Sequence, residues 1–318
     1  MTIQHWRAVS SILMDIQQLK AFAEVVRRGS FAAAARSLDV APSAITRAVA
    51  TLENELGARL LNRTTRQVSL TDAGANYLGR IVPLLADLDD ASDAVRERTG
   101  ELRGTVRITA SVGFGEAVIV PLMPTLHQAH PGLDFDLLFT DAVVDLVAQR
   151  VDLALRLGPS VNGSLVGLQL RPVRYRVVAS PDYLKSHGTP RVPADLADCQ
   201  CLRFPMPGFR SSWHFRQDPG SPGAEAVPQE TVSVGGWFVA SSSSALRQAV
   251  LQGIGPALLA DWLVDADIAS GRLVDLFPGL EASAGQFDSA VWLLYPERKH
   301  MPRRVRATVD FLKDALRP

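Results

Sequence analysis

The 318-residue chain holds two cysteines, Cys199 and Cys201, too few for a disulfide scaffold and too close in sequence to staple a long loop. That scarcity fits a reducing cytoplasm. Long apolar runs are also missing. The longest, Ala117 to Leu126, contains Pro121 and Pro124 and is about half the roughly 20 residues that a membrane helix needs, so no membrane partner is expected. Neither charge dominates, since 33 Lys plus Arg balance 33 Asp plus Glu; a charge-driven partner must therefore be met by a local patch. The six histidines are scattered, with no metal-binding spacing and no Gly-x-Ser-x-Gly arrangement. Cys199-x-Cys201 lacks a second ligand pair at zinc spacing. Gly113-Phe-Gly115 is followed by Val118 where a dinucleotide fingerprint needs glycine, and no lysine completes a P-loop. Metals, nucleotide cofactors and enzyme activity are not expected.

What is present is a chain 47% hydrophobic and 21% charged, the balance of a soluble protein with real cores and about two domains. Residues 1–13 have no sustained apolar core and read as a leader or disordered tag. Met14 directly precedes the first periodic helix and is the expected natural start; sequencing of untagged protein that began earlier would refute this. From Met14 to Arg66 eight basic residues face five acidic ones, so the neutral total hides a basic head. From Asp72 to Glu101 three Arg face seven acids, and Ala73, Tyr77, Ile81, Leu84, Leu88, Ala91 and Val95 recur at helical spacing. This predicts one long solvated helix, bent near Gly79 to Pro83, where the interior proline removes a hydrogen bond. Beyond Gly104 short apolar runs alternate with helical segments, the pattern of an α/β body with largely parallel strands. Strands are expected at Thr105–Ala110, Leu133–Phe139, Leu153–Leu157, Tyr175–Ala179, Cys201–Phe204, Pro256–Leu259 and Ala290–Tyr295. The Pro- and Gly-rich stretch from Pro205 to Pro228 reads as loop within a second lobe. The basic C-terminal run from Glu297 reads as a solvated helix face whose Val305, Val309 and Leu312 pack inward. Asn162-Gly-Ser164 matches a glycosylation sequon without meaning in a cytoplasmic chain.

Residues 16–57 contain three short helical patterns in quick succession. Ile16, Leu19, Phe22, Val25 and Val26 form one stripe; Gly29 closes that helix and Ser30 caps the next. Phe31 to Leu38 is a short helix, Asp39 to Pro42 a turn, and Ser43 a cap or first-turn residue of the third helix. There Ile45, Val49, Leu52 and Leu56 share one face. The opposite face carries Ser43, Arg47, Ala50 and Asn54 with Thr46 on its flank, small and polar enough to enter the roughly 12 Å major groove. Leu60–Arg63 and Gln67–Thr71 make a two-stranded wing joined at Thr64 to Arg66.

Residues 21–74, AFAEVVRRGSFAAAARSLDVAPSAITRAVATLENELGARLLNRTTRQVSLTDAG, closely resemble the DNA-binding domain of LysR-type transcriptional regulators. The match is gap-free and includes Gly29, Ser30, Phe31, Ala34, Leu52, Glu53, Gly57, Leu60, Thr71 and Gly74. The resemblance implies that Pro42, Ser43, Thr46 and Arg47 face bases and nearby phosphates, while Arg63, Thr64 and Arg66 hold the DNA backbone from the wing. It implies an α/β fold with an N-terminal winged helix-turn-helix (14–72), a long linker and dimerisation helix (73–102) and an effector-binding domain (103–318). That domain is similar to periplasmic binding proteins, with one lobe at about 104–175 plus 286–318 and another at about 177–275. Hinges are expected near Arg174–Val177 and Leu276–Gly285. The implied partners are double-stranded DNA bearing an interrupted palindrome, a small-molecule effector, and a dimer partner pairing into a homotetramer, with RNA polymerase a further candidate.

Ligands in open α/β sheets sit where strand ends meet helix N-termini. Ser111 to Gly115, including Gly113 and Phe114, fits from one lobe, and Ser241 to Ser244, with Ser241 and Ser242 foremost, opening the helix Ala245 to Gln252, fit from the other. Arg156 ends a strand and offers a carboxylate partner, which makes an anion one candidate effector. Phe204, Trp213 and Trp237 are candidates to line the cleft. Against these stand plain alternatives: serines before helices are caps, Arg156 a structural partner, and the aromatics core. Two other classes remain as readings, an architectural DNA-binding protein, which would give ligand-independent footprints, and a small-molecule enzyme, which would show turnover.

Overall fold

A computed structural model describes residues 15–63, 68–96, 102–147, 149–159, 165–218, 229–297 and 301–317. The leader, the Met14 start, Thr64, Arg66 and the Asn162 sequon lie outside the described residues. The chain divides into two compact units. One comprises Met1–Arg103, Val144–Asp152 and His300–Arg303; the other comprises Gly104–Val143, Leu153–Lys299 and Arg304–Pro318.

In the head, α1 (Ile16–Arg28) starts at Asp15, whose carboxylate accepts the Gln17 N–H at 3.0 Å, and stops at Gly29 in the left-handed region, φ 66°. Ser30 caps α2 (Phe31–Ser37) through the Ala33 N–H. In the turn Asp39 takes φ 52°, and α3 (Pro42–Leu56) follows with Pro42 in its first turn and Gly57 (φ 63°) closing it. The N-cap of α3 is Ala41, without a side-chain bond, so Ser43 is a first-turn residue and not the cap. Strands β1 (Leu61–Arg63) and β2 (Val68–Leu70) pair antiparallel as the wing, Leu61 opposite Leu70. Then α4 (Asp72–Arg96) runs as one helix through Pro83. Gly79 and Pro83, where a bend is expected, both lie on its exposed side. Phe22, Val25, Ala34, Ile45, Val49 and Leu52 form the head core, completed by Leu78, Ile81 and Leu85 of α4.

The body holds two sheets. In the first, β3 (Gly104–Ala110) lies between β4 (Leu133–Phe139) and β5 (Leu153–Gly158), parallel to both. Beyond β5 come β13 (Ala290–Pro296) and β6 (Leu165–Pro172), with β13 antiparallel to both neighbours. After β3 the chain forms α5 (Val112–Phe114), a π-helical turn at Gly115–Ile119, and α6 (Val120–Ala129). The C-terminal helix α10 (Arg303–Ala315) buries Val305, Val309 and Leu312, as its pattern predicts, and Arg304 Nε donates to the Thr105 carbonyl at 3.3 Å.

The second sheet corrects the expectation of largely parallel strands. Its order is β10 (Ala257–Ala260), β7 (Tyr175–Ala179), β12 (Leu280–Ser283), β8 (Ser212–Gln217), β9 (Glu230–Ser233), with β11 (Val274–Asp275) also on β7, and every one of these pairings is antiparallel. The reason lies in strands such as β8, where buried Trp213 and Phe215 alternate with more exposed His214 and Arg216, the one-sided patterning that antiparallel sheets allow. The expected strand Cys201–Phe204 contributes only isolated parallel bridges, such as Leu202 to Ala257 and Arg203 to Val239. Helices α7 (Pro181–His187), α8 (Ser243–Leu251) and α9 (Asp261–Ala269) accompany this sheet. The chain crosses from first sheet to second between Pro172 and Tyr175, and returns between Ser283 and Ala290. The second crossing therefore follows β12 and overlaps the end of the expected Leu276–Gly285 hinge, and β12 stays with the second sheet beyond residue 275. Burial pushes the Cys201 thiol up to about 12 and the Cys199 thiol upward as well, which suits two small residues flanking a core and not a reactive pair.

Candidate DNA-binding face and effector cleft

Helix α3 buries Ile45, Val49 and Leu52 and leaves Pro42, Ser43, Thr46, Arg47 and Asn54 exposed. Thr46 Oγ1 donates back to the Pro42 carbonyl at 3.1 Å, which fixes its rotamer. No carboxylate among the described residues pairs with Arg47. The wing is tied to this helix. Glu53 Oε1 accepts the Leu60 and Leu61 N–H groups at 2.8 and 3.1 Å, and Thr71 Oγ1 donates to the Arg59 carbonyl at 2.8 Å while accepting the Gly74 N–H at 2.9 Å. A side chain at Gly74 would place Cβ 2.0 Å from the Leu60 carbonyl oxygen, so only glycine allows α4 to approach the wing this closely. Arg63 ends β1. On the other side of the head, Glu24 is buried beside Arg27 and Arg28. Burial alone would raise its pKa, but hydrogen bonds from Arg27, Ser37 and Arg28 and the Arg27 charge outweigh burial and hold it at about 2.

In the body, Ser111 opens α5 without using its side chain as a cap, and its buried Oγ has no hydrogen-bond partner among the described residues. The Val112 N–H is already donated to Asp141 Oδ1 at 3.2 Å. That backbone donor is therefore taken by the chain's own carboxylate. Gly113 faces α8 so closely that an added Cβ would lie 2.2 Å from Ser243 Oγ. Phe114 is buried edge-on against Trp262 of α9, centroids 5.2 Å apart, and the Trp262 indole N–H is buried and unpartnered among the described residues. Ser242 does cap α8, accepting the Ala245 N–H at 3.3 Å, while Ser241 is exposed. Ser244 Oγ donates to Glu116 Oε2 at 3.0 Å, joining the helices of the two sheets.

The other expected residues have structural partners. Arg156 donates to the Thr140 carbonyl at 2.9 Å and to Thr109 Oγ1 at 3.2 Å; burial pushes its pKa down and the Asp141 charge acts against that shift. Its guanidinium is thus held by neutral oxygens of the first sheet, not by a paired carboxylate. Phe204 packs with the second-sheet core and edge-on to Phe209 at 6.2 Å. Trp213 is core, its indole N–H donated to the Phe209 carbonyl at 3.2 Å, whereas Trp237 is 71% exposed. The sequence reading did not single out Trp262 or Glu116, whereas Ser243 lies within the expected Ser241–Ser244 stretch. Trp262 was findable, because it begins a helix directly after β10, where ligands of α/β folds gather.

A winged helix-turn-helix joined to a two-sheet α/β body defines a DNA-binding protein with a ligand-domain architecture. The chain belongs to the LysR family of transcriptional regulators: residues 16–75 match the model of the bacterial regulatory helix-turn-helix protein, lysR family, and residues 99–317 match the LysR substrate binding domain. It is 35% identical over 300 residues to the HTH-type transcriptional regulator CrgA of Neisseria meningitidis serogroup C (strain 8013), covering 94% of this chain and 96% of that protein. It is 34% identical over 305 residues to the regulator PtxR of Pseudomonas aeruginosa, with coverages of 95% and 93%. Among solved structures, full-length CrgA of N. meningitidis aligns with a TM-score of 0.58 at 33% identity over 95% of this chain and 99% of that one. The Vibrio cholerae virulence activator AphB gives a TM-score of 0.59 at 27% identity, with coverages of 94% and 98%. The chain is a transcriptional regulator and not an enzyme.

Proposed function

We propose that this regulator binds an interrupted palindrome in double-stranded DNA and is gated by a small molecule held between the two sheets of its body. The DNA-facing residues are Pro42, Ser43, Thr46 and Arg47, with Arg63, Thr64 and Arg66 on the backbone. The domain limits are 14–72, 73–102 and 103–318, the α4 helices pair two chains, two dimers form a homotetramer, and the assembly works in the cytoplasm with RNA polymerase as a further partner. The observation that carries the gating is a pair of buried polar atoms without partners among the described residues, Ser111 Oγ at the start of α5 and Trp262 Nε1 on α9, on two elements that touch where the Phe114 ring packs against Trp262. Leaving such groups unpaired costs about 1 to 3 kcal/mol each, which a ligand oxygen accepting from both would recover. Ser111, Gly113, Phe114, Ser241 and Ser242 would surround that ligand, with Arg156 and Phe204 as further candidates. An effector carboxylate or carbonyl suits the Trp262 donor.

The test is capture of genomic fragments by the purified protein at physiological salt, followed by sequencing. Recovery of one shared inverted repeat supports the reading, and the neighbouring genes then supply effectors to titrate. Featureless recovery would move the weight to an architectural role.

A further inference from the structure

A second feature of the head lies outside the base-facing surface of α3. Between the C-terminal half of α3 and β1 runs an open groove of about 800 Å³, lined by Ala50, Asn54, Gly57, Arg59, Leu61 and Asn62. Ala50 and Asn54 continue the exposed face of Arg47 along the helix, and β1 forms the opposite wall. When a recognition helix occupies a major groove and its wing reaches the adjacent minor groove, one phosphodiester strand separates the two. That strand has to pass between helix and wing, which is where this groove runs.

The chemistry of the lining suits an anionic strand. Arg59 is exposed, and no carboxylate among the described residues pairs with it. Its main chain is fixed, because the Arg59 carbonyl accepts from Thr71 Oγ1 at 2.8 Å. The one carboxylate in the lining, Glu53, is turned onto the Leu60 and Leu61 N–H groups. Two of the four carbonyls left at the end of α3 accept backbone donors, Asn54 from the Gly57 N–H at 3.2 Å and Glu53 from the Ala58 N–H at 3.1 Å. Ala50 supplies only a methyl group, leaving room for the backbone. Asn62 is committed to the Leu70 carbonyl at 3.2 Å, whereas the exposed Asn54 is placed to donate.

We infer that this groove seats the phosphodiester strand between the two grooves of the duplex, with Arg59 as its phosphate-binding residue and Asn54 as a secondary donor. The inference rests on the DNA-binding reading of the α3 face, and it concerns positioning and not base choice.

The test uses the full-length chain with two probes, a mixed-sequence 40-base-pair duplex and a captured genomic fragment, titrated by fluorescence anisotropy between 50 and 200 mM salt. Arg59→Gln is expected to weaken binding to both by the same factor and to reduce the slope of log K against log salt by about 0.9 for each protomer engaged. Arg59→Lys should restore the slope. An unchanged slope, or a loss confined to the genomic fragment, overturns the assignment. Arg47→Ala in parallel separates the two readings: if it weakens the genomic fragment while Arg59→Gln does nothing, the groove assignment alone is wrong. If neither variant changes binding, the α3 face itself is wrong. Should Arg59→Gln fail to fold, ethylation interference on the fragment decides with the wild-type protein and Arg59→Lys. A phosphate between the two grooves whose ethylation blocks binding supports the inference, and the lack of one removes it.

Discussion

Glu24 and Arg47 show how differently two charged side chains of one small head are used. Glu24 is enclosed by arginines and held at a pKa of about 2 against an ordinary value of 4.5. A carboxylate depressed in the folded state stabilises above its unfolded pKa and loses that contribution as pH falls toward the folded value. Glu24→Gln should therefore lower stability by on the order of 2 to 3 kcal/mol at pH 7. The gap between wild type and variant should narrow to about half by pH 3. Urea melts of both proteins at pH 7, 5 and 3 check this, and a gap independent of pH would mean the arginine cage contributes packing and not charge. Arg47, by contrast, is exposed and without a carboxylate partner among the described residues, so its removal costs the fold little. Arg47→Ala should cost about 1 to 3 kcal/mol of binding on the cognate sequence and relax preference at one base pair, as loss of a bidentate guanine contact does. Equal losses across all single-base variants of the operator would instead assign Arg47 to the backbone.

Most boundaries of the head were readable because each has a local chemical cause, Ser30 as a cap and Gly29 and Gly57 as left-handed stops, whereas the Asp15 cap and the place of Pro42 inside the first turn came from the structure. In the body the strands at Thr105–Ala110, Leu133–Phe139 and Tyr175–Ala179 were found from their clustered Val, Ile, Leu and Phe, although Asp134 and Asp136 alternate along β4 and Arg107 and Arg176 interrupt β3 and β7. The strands of the second sheet with one exposed face escaped. β8 reads SWHFRQ, and its alternation of Trp213 and Phe215 with polar residues was the available signal. What no sequence pattern held was the pairing across elements, such as Glu53 on the Leu60 N–H or Gly113 against Ser243, which depends on how distant segments fold together. The long helix α4 shows both sides of this. Leu78, Ile81, Val82 and Leu85 turn into the head core, whereas Leu84 is 65% and Leu88 40% exposed, one turn apart on a different face. If that face pairs two chains, burying each leucine contributes about 1.5 to 3 kcal/mol. Replacing both, Leu84→Asp with Leu88→Asp, should then shift the protein toward monomers in sedimentation velocity at micromolar concentration while leaving its helix content intact. An unchanged sedimentation coefficient would mean that another surface pairs the chains.

In the proposed gating, regulation of the molecule as a whole depends on how firmly the two sheets of the body are held together. Arg171, near the end of β6 in the first sheet, meets Asp261, the first residue of α9, at 2.6 Å. Asp261 is 7% exposed, its other oxygen accepts the Trp262 N–H at 2.8 Å, and its own N–H is donated to the Arg174 carbonyl at the crossover, also at 2.8 Å. With the Ser244–Glu116 hydrogen bond and the Phe114–Trp262 contact, this ion pair joins the sheets around the proposed effector cleft. A ligand shifts an equilibrium between sheet arrangements only by its difference in affinity for them, and moving one from 1:99 to 99:1 takes about 5.5 kcal/mol. Loss of one such link is a sizeable part of that. Arg171→Gln leaves the Asp261 carboxylate buried without its cation, which should destabilise the body by on the order of 1 to 3 kcal/mol. The effect should be local as well as global, because Asp261 is tied to the first crossover: amide hydrogen exchange should accelerate most at residues 173–175 and 284–289. Double-mutant analysis with Asp261→Asn should show that the two losses do not add. If exchange at both crossovers matches the wild type while the protein melts earlier, the pair serves only the stability of the body, and the hinge is governed by the contacts of α5 with α8 and α9.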